Sequence, residues 1–165
     1  MDVDDRQALQ ELLDARAIEQ LFVRYFDRVD ANDPEGASMC FAPDVEFEIM
    51  IGKRKRGRER FARSLGRVLN QYERTSHHVG NIIATIDGDS ADVQAYVYAF
   101  HRMYNTGEPW HLWVRLKERF ERIDGEWLIT EHVLLGLDAV PNRPDIPRSW
   151  YPGHPGRLSR EGDGA

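Results

Sequence analysis

Residues 90 to 104 alternate without a break, and this pattern limits the fold more than any other feature of the chain. Ala91, Val93, Ala95, Val97, Ala99, His101 and Met103 fall on one parity, and Tyr96, Tyr98, Phe100 and Tyr104 on the other. Successive side chains of a strand point to opposite faces, so this is one long strand with a small-residue face and an aromatic face. Asp87-Gly88-Asp89 before it and Asn105-Thr106-Gly107-Glu108-Pro109 after it are turn signals. Trp110 to Arg122 runs back, Asp124-Gly125 marks another hairpin, and Trp127 to Leu137 completes the set. Long strands joined by tight turns predict a bent antiparallel meander.

The first half of the chain has a different period. Leu9, Leu12, Leu13, Ile18, Leu21, Phe22, Tyr25, Phe26 and Val29 recur mostly at spacings of three and four, which predicts one helix over 5–31 with a buried stripe. Asp30 follows the stripe at the carboxyl end, where the helix dipole disfavours an anion, so a compensating partner is expected. Asn32-Asp33-Pro34-Glu35-Gly36 restarts a helix. That second helix is short and is expected to end near Phe41-Ala42-Pro43, with Cys40 as a small core residue in its apolar run. Residues 44–51 alternate as a first strand, and 57–72 form a third helix with Phe61, Leu65, Val68 and Leu69 inward. Helices followed by strands indicate an α+β architecture. The length of 165 residues fits one domain, drawn here over 1–137. Pro141, Pro144, Pro147, Pro152 and Pro155 mark 138–165 as a Pro/Gly-rich tail, which Trp150 and Tyr151 could pin across a subunit or a pocket mouth.

Composition narrows the partners. A net charge of −6 argues against nucleic acid as the main partner. The basic run Lys53, Arg54, Lys55, Arg56, Arg58 and Arg60 reads as a solvated turn leading into a helix, with an anionic-substrate site as the sharper alternative. A single cysteine rules out an internal disulfide framework and a Cys-cluster zinc site. No apolar run reaches the length that spans a bilayer, and the acidic start of the chain has no signal-peptide core, so a soluble, cytoplasmic protein is expected.

The chemistry is expected around Thr75-Ser76-His77-His78-Val79-Gly80-Asn81, where two of the six histidines are adjacent. On a strand one of them enters the protein and the other leaves it. We expect His77 to point inward and meet Asp30. The small face at Ala95, Val97 and Ala99 leaves room for a cavity beside His101. A carboxylate partner fixes the tautomer of an imidazole and stabilises its charged form, the arrangement of a general base. Asp30, His77 and His101 could converge on a metal, but no two histidines stand at the helical i, i+4 spacing, and neither metal nor cofactor is expected.

Val29-Asp30-Ala31-Asn32-Asp33, then Cys40-Phe41-Ala42-Pro43-Asp44-Val45, then Thr75-Ser76-His77-His78, then Arg122-Ile123-Asp124-Gly125-Glu126-Trp127 together resemble the SnoaL-like branch of the NTF2-like superfamily over residues 8–137. The resemblance implies a curved antiparallel sheet wrapped around helices as a cone, usually assembled as a homodimer or larger. Among its enzymes, the scytalone dehydratase and hexachlorocyclohexane dehydrochlorinase types use an Asp–His dyad as base. Asp30 and His77 match that dyad, and His101 matches a second pocket histidine of the dehydratase type. The two tyrosines of that type are replaced by Val29 and Ile49, and its pocket asparagine by Leu116, which argues against scytalone as substrate. Tyr25, one turn before Val29, could supply a hydroxyl, and His132 stands where the dehydrochlorinase type carries a cation. Trp113 shares a strand face with Arg115 and is taken with Val97 and Ala99 as a candidate pocket residue. The expectation is a cofactor-independent lyase or isomerase acting on a small, apolar, cyclic molecule, with Asp30, His77, His101 and Tyr25 as its machinery. The alternative is a non-catalytic binding or assembly subunit, like the small subunit of ring-hydroxylating dioxygenases.

Overall fold

The computed structural model describes residues 3–48 and 54–141. Its elements are α1 (Val3–Asp30), α2 (Pro34–Ser38), β1 (Phe41–Glu48), β2 (Lys55–Arg56), α3 (Arg58–Leu69), β3 (Tyr72–Asp87), β4 (Ser90–Met103), β5 (Pro109–Ile123) and β6 (Glu126–Val140). One six-stranded sheet runs in the order β2-β1-β6-β5-β4-β3 and curves around the helices as the expected α+β cone. The meander β3 to β6 is antiparallel throughout, with Asp87 opposite Ser90 and Ile123 opposite Glu126 at its outer hairpins. Asp124 and Gly125 both have positive φ, as a two-residue turn that follows the strand twist requires. Register shifts between Gly80 and Ile83, with Asn81 at φ 49°, bend β3.

Four features differ from the sequence reading. β1 pairs with β6 in parallel, so the sheet is mixed rather than wholly antiparallel. Alternation reports which face a residue takes and is blind to strand direction. Second, α2 stops at Ser38, and Phe41-Ala42-Pro43 open β1 instead of closing a helix. Phe41 lies opposite Ile129, and the Ile129 N–H donates to the Cys40 carbonyl at 3.0 Å, so the neighbouring strand captures this stretch. Cys40 is still buried, but between α2 and β1. Third, the amino-terminal turns of α1 lie outside the core: Leu9, Leu12 and Leu13 are 45, 68 and 55 % exposed. The buried stripe starts at Asp14 and continues through Ile18, Leu21, Phe22, Tyr25, Phe26 and Val29. Asp14 accepts from Trp127 Nε1 at 3.0 Å and pairs with Arg122 at 2.8 Å, which anchors the helix to the β5–β6 end of the sheet. Fourth, β6 continues past Leu137 to Val140. Trp150 and Tyr151 lie outside the described residues.

Three arginines of the basic run are tied down. Arg54 pairs with Glu46 and Glu131, Arg56 with Asp44, and Arg58 donates to the Phe41 carbonyl. These bonds fasten β2 and the start of α3 to β1, in line with the solvated-turn reading. Among the described residues no helix is long and apolar enough to cross a membrane.

The α1–α2 corner sets where α1 ends, and therefore where Asp30 stands. Asp33 Oδ1 accepts from the Gly36 N–H at 2.8 Å, while Asp33 Oδ2 pairs with Arg28. Losing such a cap costs about 1 kcal/mol. Asp33→Ala is therefore expected to lower the melting temperature by roughly 2–4 °C in a thermal scan, which checks this cap.

Candidate active site

Asp30 is the last residue of α1, and the strand facing it supplies the compensation that the helix dipole does not. Its Oδ1 meets His77 Nδ1 at 2.6 Å and accepts from the Thr75 hydroxyl at 2.7 Å, and its Oδ2 accepts from the His77 backbone N–H at 2.9 Å. Partial burial raises the Asp30 carboxyl, but the hydrogen bonds from His77 and Thr75 outweigh it and hold the group below its ordinary range. The His77 side chain is 11 % exposed and that of Asp30 29 %, which puts the acid at the rim and the imidazole inside. Phe26 stacks on the His77 ring, with centroids 5.1 Å apart. His78 faces outward and is exposed, as alternation requires.

His77 lines a hollow between α1, α3 and the inner face of the sheet. The lining is mostly apolar. The polar groups on it include Tyr25, His77, His101 and His132. The His101 ring stands edge-to-face to His77 with centroids 5.4 Å apart, and Tyr72 and Trp110 flank it. Burial, reinforced by the neighbouring His77, pushes His101 down to about 3, so it is a neutral imidazole at ordinary pH. Burial, with the Glu118 charge adding to it, holds the Tyr25 phenol well above its ordinary range, so that group keeps its proton. His132 Nδ1 lies 2.8 Å from Glu118 Oε1 in a fully buried pair. Among the described residues no three His, Cys, Asp or Glu side chains come together in a way that could hold a metal ion.

The sequence profile of the SnoaL-like domain matches residues 10–133, well over half of the chain. The chain belongs to the SnoaL-like domain family. Solved structures similar to this SnoaL-like protein include one from Novosphingobium aromaticivorans DSM 12444, provisionally named scytalone dehydratase. It is 25% identical with a TM-score of 0.75, over 81% of this chain and 90% of that one. A hexachlorocyclohexane dehydrochlorinase from Novosphingobium barchaimii LL02 is 16% identical with a TM-score of 0.74, over 83% of this chain and 95% of that one. A Mycobacterium tuberculosis protein of unknown function is 23% identical with a TM-score of 0.67, over 76% of this chain and 77% of that one. The latter two share the fold alone. No curated protein matches the sequence.

Within this SnoaL-like chain, Asp30 and His77 stand in contact, and Tyr25, Val29, Val97, Ala99, His101, Leu116 and His132 all border the hollow. Trp113 does not. It is 39 % exposed and packs on Tyr98 on the outer face of the sheet, so its expected place in the pocket is corrected. The inner face of β5 carries the even-numbered residues, among them Leu112, Val114 and Leu116. The parity of Trp113 gave no face until its neighbours were placed. Ile49 lies outside the described residues. The sequence reading gave no role to Thr75 or Glu118. Glu118 left a usable signal: it is an acid in the apolar even-numbered series of β5. Thr75 left none, because its role depends on how α1 crosses β3.

Proposed function

We propose that this protein is a cofactor-independent lyase or isomerase that removes a carbon-bound proton from a small, largely apolar, cyclic molecule. One observation carries the reading: the Asp30–His77 contact, held by three hydrogen bonds, at the wall of an apolar hollow. With Nδ1 engaged by Asp30, Nε2 is the ring atom left to accept a proton. The carbon–hydrogen electron pair moves toward an adjacent activating group such as a carbonyl. Those electrons then either expel a leaving group or return to a proton at another carbon, giving elimination or double-bond migration. His101, being neutral, serves as a hydrogen-bonding group rather than as a reservoir of protons. Tyr25 retains its phenolic hydrogen and is a hydroxyl on the wall available to polarise an oxygen. The provisional name of the Novosphingobium aromaticivorans neighbour supports the elimination sense of the reaction.

The test uses α-tetralone, a two-ring ketone with exchangeable hydrogens beside its carbonyl. In deuterated buffer the wild-type protein is expected to speed deuterium uptake at that carbon above the buffer rate, read by NMR. In the complex, that carbon is expected within reach of His77 Nε2. Exchange at the buffer rate, with the ketone bound, would remove proton abstraction from this site.

A further inference from the structure

His132, on the wall of the hollow, belongs to a second acid–imidazole pair, and the mechanism proposed above leaves it unused. Glu118 and His132 are cross-strand partners on β5 and β6, and their side chains are 0 and 1 % exposed. Nδ1 of His132 is taken by Glu118 Oε1 at 2.8 Å, whereas His132 Nε2 is buried with no hydrogen-bond partner. The rings of Tyr25, Phe41 and Phe61 all meet the imidazole close to edge-on. Glu118 Oε2 is likewise buried and unpaired, but it is His132 that borders the hollow, and an unmet nitrogen there is costly unless a ligand meets it.

The protonation state of that atom follows from charge. A lone charge buried away from water is strongly disfavoured, so the pair stays neutral overall. It has two ways of doing so. Either a carboxylate faces an imidazolium, or a carboxylic acid donates to the Nδ1 of a neutral imidazole. Burial favours the acid form of Glu118, with His132 opposing it. Both forms hold the same number of protons, and in both Nε2 carries a hydrogen. His132 thus carries an N–H at Nε2 whichever form prevails.

We infer that Glu118 and His132 form the orienting end of the pocket, where His132 Nε2–H binds a hydrogen-bond acceptor on the substrate and Glu118 acts as the positioning residue that keeps the proton on that nitrogen. The substrate class narrows accordingly: an apolar ring system with an acceptor oxygen, a carbonyl or an ether, and with no requirement for a donor at that atom. His77 and His132 stand on β3 and β6, three strands apart, so the sheet separates the proton-accepting wall from the orienting wall by roughly 14 Å at the backbone. The inference rests on the hollow being the reaction site.

The experiment measures binding rather than turnover, so its failure is distinct from failure of the proton-abstraction reading. Affinities for α-tetralone and for tetralin, the hydrocarbon of the same skeleton, are compared by calorimetry or NMR titration. His132→Leu is expected to lower the ketone-to-hydrocarbon affinity ratio about tenfold, with tetralin binding held within about twofold. Glu118→Leu is expected to lower the ratio as well, while Glu118→Gln, whose amide donates to Nδ1, restores it. A merely structural pair would change stability and leave the ratio alone. An unchanged ratio in His132→Leu overturns the inference. If that variant does not fold, ring-nitrogen NMR of the wild-type protein decides. The ketone is then expected to shift the His132 Nε2 signal where tetralin does not, and equal spectra overturn the inference.

Discussion

Asp30→Asn is expected to slow deuterium uptake into α-tetralone by about a hundred- to ten-thousandfold, with ketone affinity changed by no more than about threefold. The variant keeps size and shape but loses one acceptor. Asp30 uses both oxygens, Oδ1 toward the ring and Thr75 and Oδ2 toward the His77 backbone N–H. An amide has one oxygen and one NH2 group. If its oxygen keeps the backbone N–H, its NH2 group faces Nδ1 and drives the ring hydrogen to Nε2, which blocks the base. If its oxygen turns to the ring, the backbone N–H at the strand loses its acceptor. Either arrangement costs the reaction and spares the apolar lining, so the loss falls on the rate and not on binding. His77→Gln serves as the comparator, since it removes the base outright. Wild-type exchange in Asp30→Asn would take the dyad out of the mechanism.

The protein is expected to lose stability as pH falls from neutrality toward 4, and His101 is a main cause. Its folded value of about 3 lies below the ordinary 6.5. Between those values the unfolded chain binds a proton at this site that the folded chain refuses, so stability rises with pH across the window. The contribution is complete above the ordinary value and is lost as pH falls toward the folded one, up to a ceiling of about 5 kcal/mol. Asp30 adds in the same direction lower down. Its folded value is depressed, so its stability is present above the ordinary carboxylate value and lost as pH falls through the folded one. Glu118 has the opposite sign, since a raised carboxyl contributes only where it is protonated and loses that contribution as pH rises. Melting temperatures recorded from pH 7 to 4 are expected to drop by roughly 10 °C in the wild type. His101→Phe fills the same aromatic niche beside Tyr72 and Trp110, and its drop is expected to be clearly smaller. Parallel curves for the two proteins would mean that His101 is not held neutral in the folded state.

Much of the fold was legible because it follows from short-range patterns. Alternation in β4 placed Ala95, Val97 and Ala99 on the inner face, and the turn chemistry of Asp124-Gly125 placed the last hairpin. The stripe on α1 was read correctly from Ile18 onward and too generously before it, because periodicity shows which face of a helix is apolar and not whether anything covers that face. Phe41-Ala42-Pro43 was misjudged for a related reason. Its burial comes from pairing with β6, nearly ninety residues away in the chain, and no local pattern reports that.

The candidate site divides along the same line. By itself the amino-acid sequence determined that His77 and His78 take opposite faces, that Asp30 ends a helix with an anion needing a partner, and that the sheet offers a small-residue wall. These are consequences of backbone period and dipole, available before any contact forms. Tertiary structure alone decided that Thr75 and the His77 amide share that anion, that Trp113 faces away, and that Glu118 meets His132 across β5 and β6. Each of these depends on strand register and helix crossing, which are set by how the whole core packs rather than by neighbours in the chain.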